Sequence, residues 1–161
     1  MNRFSKKLNS LENYPIIVKK WLINYLIANS VKMVGTCGLR FETLEPNRVV
    51  VNLQNKSKVQ NHLGQIHAAA STLLAETATG IIVGLSIPDD KIPLMKNLAI
   101  KFIKRSVGFQ QATASLTDDQ ILKIQTEEKG DLIVPVKVLD QRGVEVILAE
   151  MNWAWIPKKK L

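Results

Sequence analysis

The sequence predicts an α+β domain in which an antiparallel sheet of about six strands wraps around one long central helix. Three observations carry that expectation. A stretch from about Ile66 to Gly84 is built of small and apolar helix formers and contains no proline. Around it lie short β-rich runs punctuated by turn residues, a pattern of mostly antiparallel strands. The chain has 161 residues and is 46% hydrophobic, which suits a single domain, residues 1–161, with a real core.

Taken in order, Asn13 can cap a helix over residues 15–34, because Pro15 is tolerated in a first turn. Ile17, Trp21, Tyr25 and Ala28 share one face of it, which is expected to pack on the sheet; docking of this face on a membrane surface is the alternative. Lys19, Lys20 and Lys32 interrupt the segment too often for a transmembrane span. The runs "LRFETLE" and "RVVVNLQ" flank Pro46-Asn47 and read as a hairpin. The polar "NKSKVQN" leads into the central helix over residues 66–84, and "SIPDDKIPLM" leaves it as a loop. "NLAIKFIKRS" and "FQQATASL", joined near Gly108, are expected to form a second hairpin. Thr117 and Gln120 have the spacing of a capping box, opening a short inserted helix to about Glu128 that Gly130 ends. "LIVPVKVLD" reads as one strand. A turn at Gln141-Arg142-Gly143 leads to "VEVILAEMNWAWIP", in which Met151, Trp153 and Trp155 alternate with Asn152 and Ala154, as in a strand buried on one side.

Composition narrows the function. Cys37 is the single cysteine, so neither an intrachain disulfide nor a cysteine zinc cluster can form, and a reducing cytoplasm fits best. The basic start lacks the apolar core and cleavage site of a secretory signal, and the terminal "KKKL" reads as a solvated tail. A formal net charge of +8 suits nucleic acid, an anionic membrane or an acidic small ligand. Aromatic residues make up only 6% of the chain, and the tryptophans sit in hydrophobic segments, which argues against nucleic acid. No cofactor is implied.

The chemistry concentrates in "NHLGQIHAAASTLLAETATG", residues 61–80. A helix start gathers unpaired N–H groups and a positive dipole end. Gly64 allows close backbone approach and Asn61 adds a side-chain amide, so the loop could hold a carbonyl, a phosphate oxygen or a developing oxyanion. Glu76 stands nine residues beyond His67, about half a turn round and ~13 Å along the axis. The two cannot meet on one straight helix. Either Glu76 is unrelated to the helix start, or a second chain paired about a two-fold axis completes the site. His62 and His67 with one acid would be a minimal metal set, but no metal is assigned.

This segment and the overall layout resemble hotdog-fold proteins of the phenylacetyl-CoA thioesterase type, whose pattern is Asn-x-x-Gly-x-x-His-Gly-Gly followed by a helix bearing Asp or Glu. Asn61, Gly64, His67 and Glu76 stand at the matching positions. A subfamily of uncharacterised thioesterase-like hotdog proteins shares the N-terminal helix, the "HAAA" helix start and the tryptophan-rich last strand. The resemblance implies that the Ala68 N–H, helped by Asn61, polarises a thioester carbonyl. Glu76 of the partner chain would activate water or attack directly, and His67 would orient the loop. It implies a homodimer, or a dimer of dimers, acting on an acyl-CoA or acyl-carrier thioester. Lys104 and Arg105, then Lys101, Lys56 and Lys58, are the candidate contacts for coenzyme A phosphates. Ala68 and Ala69 replace the paired glycines, and no serine or threonine lies between Ile87 and Arg105, where some members carry one to place water. The alternative is therefore a non-catalytic acyl-CoA or fatty-acyl binder of the same fold. The proline-rich histidine motif of the dehydratase branch is missing.

Overall fold

The helix at the centre of the computed structural model is α4 (Ala68–Ser86), and the other elements are laid round it. Residues 2–158 are described; most of the lysine-rich C-terminal tail lies outside them. Leu74, Ala75, Ala78, Ile82 and Val83 of α4 have no exposure at all. Its many small residues let the sheet come close, since short side chains shorten the helix-to-sheet distance.

Before α4 come α1 (Arg3–Asn9), α2 (Ile16–Ser30), α3 (Lys32–Cys37), the hairpin β1 (Arg40–Glu45) and β2 (Arg48–Leu53), and a 3-10 turn at Ser57–Val59. After it come β3 (Lys91–Phe102), β4 (Gln110–Ser115), α5 (Asp118–Thr126), β5 (Gly130–Val134), β6 (Val136–Asp140) and β7 (Glu145–Pro157). Seven antiparallel strands form one sheet in the order β1-β2-β4-β6-β7-β3, with β5 beside β7. The sheet wraps α4, as the resemblance implies.

The β1–β2 hairpin, the capping box of Thr117 with Gln120, and the buried Met151, Trp153 and Trp155 of β7 are all present. Other expectations need correction. "NLAIKFIKRS" and "FQQATASL" do not pair with each other. β3 lies against β7 along its whole length, and β4 lies between β2 and β6. The thirteen-residue β7 is long enough to hold a twelve-residue partner, so "KIPLM" is strand rather than loop. Pro93 is tolerated there because β3 is an edge strand. "LIVPVKVLD" is broken at Pro135, which has no N–H for the ladder, so six expected strands become seven. The short inserted helix stops at Glu127, and Gly130 already belongs to β5.

The N-terminal region differs most. Residues 15–34 are not one helix: Val31, in an extended conformation, separates α2 from α3. The helix α1 precedes them, capped by Asn2, whose Oδ1 accepts from the Ser5 N–H (2.8 Å) while its Nδ2 donates to the Gly84 carbonyl (2.7 Å) at the end of α4. The face of Ile17, Trp21 and Tyr25 does not pack on the sheet. It points outward, and α2 is anchored through Ile23 and Ile27 instead. With apolar residues on every side of α2, sequence periodicity cannot tell which side is inward.

Candidate active site

The loop entering α4 is tied by its own backbone. The His67 N–H donates to the Val59 carbonyl (2.8 Å), and Gln60 bridges Ile66. Asn61 organises the turn between them: its Oδ1 accepts from the N–H groups of Leu63 (2.9 Å) and Gln65 (3.1 Å), and its own N–H donates to the Gln65 carbonyl (2.8 Å). Two N–H donors on one side-chain oxygen fix the orientation of the amide. Its Nδ2 has no partner among the described residues. Gly64 sits at φ +69°, a left-handed conformation that favours glycine.

His67 is the N-cap of α4. Its Nδ1 accepts from the Ala69 N–H (3.0 Å) and its carbonyl takes the N–H groups of Ala70 and Ser71. An acceptor Nδ1 puts the ring proton on Nε2. One first-turn donor is left over. Among the described residues the Ala68 N–H has no partner, and Ala68 and Ala69 are both exposed.

Glu76 is half-buried on α4. No cation among the described residues pairs with it, and its hydrogen bond from Thr77 Oγ1 is long, at 3.4 Å. Burial raises its carboxyl above the ordinary glutamate value, and Thr77 only partly offsets that. The helix is unbroken between the two features, so Glu76 stays ~13 Å from the loop of its own chain.

The start of α4 opens on a cleft of about 420 Å³, walled on one side by Asn61, Ala68 and Ser71 and on the other by the segment Phe102–Ser106. Lys104 and Arg105 are part of that wall. Lys101, Lys56 and Lys58 are exposed but do not line this cleft, and Lys58 Nζ lies beside Gly38. The segment is held from behind by Asp140. Burial works against the charge of this carboxylate. Hydrogen bonds from the Arg142 side chain and from the N–H groups of Val107, Arg142 and Val144 outweigh that cost and bring it to about 2. Arg142 also reaches the Arg105 carbonyl (3.1 Å).

Sequence reasoning missed Gln110, which lines the same cleft. It is 2% exposed; its Nε2 donates to Ser106 Oγ (2.9 Å) and its Oε1 has no partner. Gln110 shares the inward face of β4 with Ala112 and Ala114, and a polar residue in such a register is a candidate for a site once the register is known. Among the described residues no three His, Cys, Asp or Glu side chains come together, and His62 is an exposed loop residue. By length and composition α4 is apolar enough to cross a membrane, but half of its apolar window is buried inside the sheet.

A sheet wrapped round a long helix whose capped start opens on a cleft defines a hotdog-fold protein. Residues 19–156 match the model of a family described as a domain of unknown function, DUF4442, and the chain belongs to that family. Among solved structures it is similar to a Pseudomonas aeruginosa protein named as of unknown function and "probable thioesterase", at 24% identity and a TM-score of 0.78, over 85% of this chain and 95% of that one. It is also similar to a Haemophilus influenzae thioesterase (14% identity, TM-score 0.68, 84% and 88% covered). A Staphylococcus aureus thioesterase enzyme is a third (20%, 0.67, 79% and 100%). At these identities the likeness shows the fold. No curated protein matches the sequence.

Proposed function

We propose that the protein is an acyl-CoA thioesterase whose sites are each shared by two copies of the chain. The observation that carries this reading is Glu76: a half-buried carboxylate with no cation partner among the described residues, on the same helix as an unused N–H donor it cannot reach. A two-fold pairing of antiparallel α4 helices brings each Glu76 to the other chain's helix start. The open edge of β3, with Leu94, Leu98 and Phe102 exposed along it, is a surface that such a pairing can cover.

In this site the thioester carbonyl oxygen accepts from the Ala68 N–H and from Asn61 Nδ2, and His67 keeps the loop in place. Glu76 of the partner subunit takes a proton from water. The hydroxyl oxygen bonds to the carbonyl carbon, the oxyanion collapses, and the carbon–sulfur bond breaks. The thiolate leaves and recovers the proton. Direct attack by the carboxylate, followed by hydrolysis of the anhydride, uses the same geometry. Lys104 and Arg105 at the cleft wall suit the phosphates of coenzyme A. Cys37, a free thiol, fits a cytoplasmic setting.

The test is thiol release from a panel of acyl-CoA esters. Glu76→Gln is expected to lower turnover by about 10²–10⁴-fold, the range of a positioned general base, and to leave the oligomer intact. Unchanged turnover sinks the assignment. Ala68-Ala69 in place of paired glycines and the lack of a hydroxyl between Ile87 and Arg105 favour a second reading, a non-catalytic acyl-CoA binder. Acyl-CoA would then raise the melting temperature of the wild-type protein with no thiol released.

A further inference from the structure

The outer face of α2 is bare where a monomeric protein usually covers itself. Ile17, Trp21 and Tyr25, spaced by four residues, are 80%, 63% and 55% exposed, and Val18 of the same helix is exposed as well. The Trp21 and Tyr25 rings stack on each other, 5.5 Å apart and 11° from parallel, which covers only one face of each. A contiguous apolar patch of this kind marks a surface that meets something.

Charge says what it meets. Residues 1–38 hold six cations, Arg3, Lys6, Lys7, Lys19, Lys20 and Lys32, against one acid, Glu12. Lys19 pairs with Glu12 and Arg3 with Asp89, which leaves Lys6, Lys7, Lys20 and Lys32 in no ion pair among the described residues. Apolar and aromatic residues flanked by lysines suit an interface of acyl chains below and anionic headgroups above, with Trp and Tyr at headgroup level. A second copy of the same face would set these cations against their own kind, which disfavours a two-fold contact here. α2 packs on β1, at the other end of the strand order from β3; its last turn, at Leu26, Ile27 and Ser30, shares a cleft with Lys91 and Pro93 of β3. At fifteen residues α2 is too short to span a bilayer, so it would lie along the surface.

We propose that this face of α2 docks the protein on an anionic lipid surface, with Trp21 and Tyr25 inserted and Lys20 and Lys32 on the headgroups. This does not depend on the thioesterase reading.

The full-length protein is mixed with phosphatidylcholine vesicles with and without phosphatidylglycerol, and co-sedimentation is measured together with tryptophan emission. Trp153 and Trp155 are only 7% and 1% exposed, so a blue shift on adding vesicles reports Trp21. Binding is expected only with phosphatidylglycerol and should weaken with salt. Neutralising Lys20 or Lys32 to Gln is expected to lower the partition coefficient about fivefold each. Trp21→Ser with Tyr25→Ser is expected to lower it at least about tenfold; these side chains are exposed, so the fold should survive. The proposal is overturned if the protein does not sediment, if neutral vesicles bind it equally, or if the double serine variant binds as before. It is equally overturned if that variant splits an oligomer in light scattering, because the face would then join copies of the chain.

Discussion

Glu76 carries its charge at a cost. Burial raises its carboxyl from 4.5, so the folded state holds this proton more tightly than the unfolded chain does. Above the folded value the buried carboxylate therefore destabilises the fold, and that penalty fades as pH falls through the folded value and is gone below the unfolded one. Glu76→Gln keeps the shape and removes the charge. Its melting temperature is expected to equal or exceed the wild type at neutral pH, with the gap closing near pH 4. A melting series over pH checks this; a variant less stable at pH 7 would reveal a favourable ionic contact instead. In the catalytic reading the acid limb of kcat/KM lies above the ordinary glutamate range, because Glu76 must be deprotonated to act. Of the candidate site residues, Asn61, His67 and Glu76 stood out in the sequence because they are polar groups before and within an apolar helix, and Gly64 because it interrupts the loop between them. Gln110 was not, because one amide in a strand looks like solvated surface until the register is known.

At the scale of elements, α4 and β7 are held together at Gly80. A Cβ there would meet two ring carbons of Trp153 at 2.7 and 2.8 Å, and the ring is pinned by its Nε1 donating to Thr79 Oγ1 (2.9 Å). In a helix, glycine to alanine gains up to about 1 kcal/mol, whereas overpacking costs about 1–3 kcal/mol. Gly80→Ala is therefore expected to destabilise by about 1–2 kcal/mol, readable as a lower urea midpoint with an unchanged slope. A gain in stability would mean that the ring can yield. The contrast between such local features and long-range ones explains what the sequence could tell. α4, α5 and the alternation in β7 were readable because their signals repeat within one turn or two residues. The pairing of β3 with β7, and the outward turn of α2, are set by partners far along the chain, and no local pattern carries them. Even the break at Pro135 was visible as a proline but not as the place where the strand beside β7 changes from β5 to β6.

For the whole molecule, the proposed sharing of each site by two chains makes a demand on assembly that a self-contained site would not. Ala68 is the first residue of α4, where proline is tolerated. His67 before it is extended, at φ −63° and ψ 144°, the conformation a following proline requires. Ala68→Pro thus removes the one unpaired first-turn donor with little disturbance of the fold. If that N–H holds the oxyanion, turnover should fall by about 10²–10³-fold at near-wild-type stability. Glu76→Gln breaks the other half of the site. Mixed in equal amounts and allowed to exchange subunits, the two inactive variants form a hybrid in half of the dimers. Each hybrid has one site with both defects and one with neither, so about a quarter of wild-type activity should return. Sites contained within single chains would all stay broken, and mixing would return nothing. The thiol-release rate of the mixture, followed as subunits exchange, separates the two.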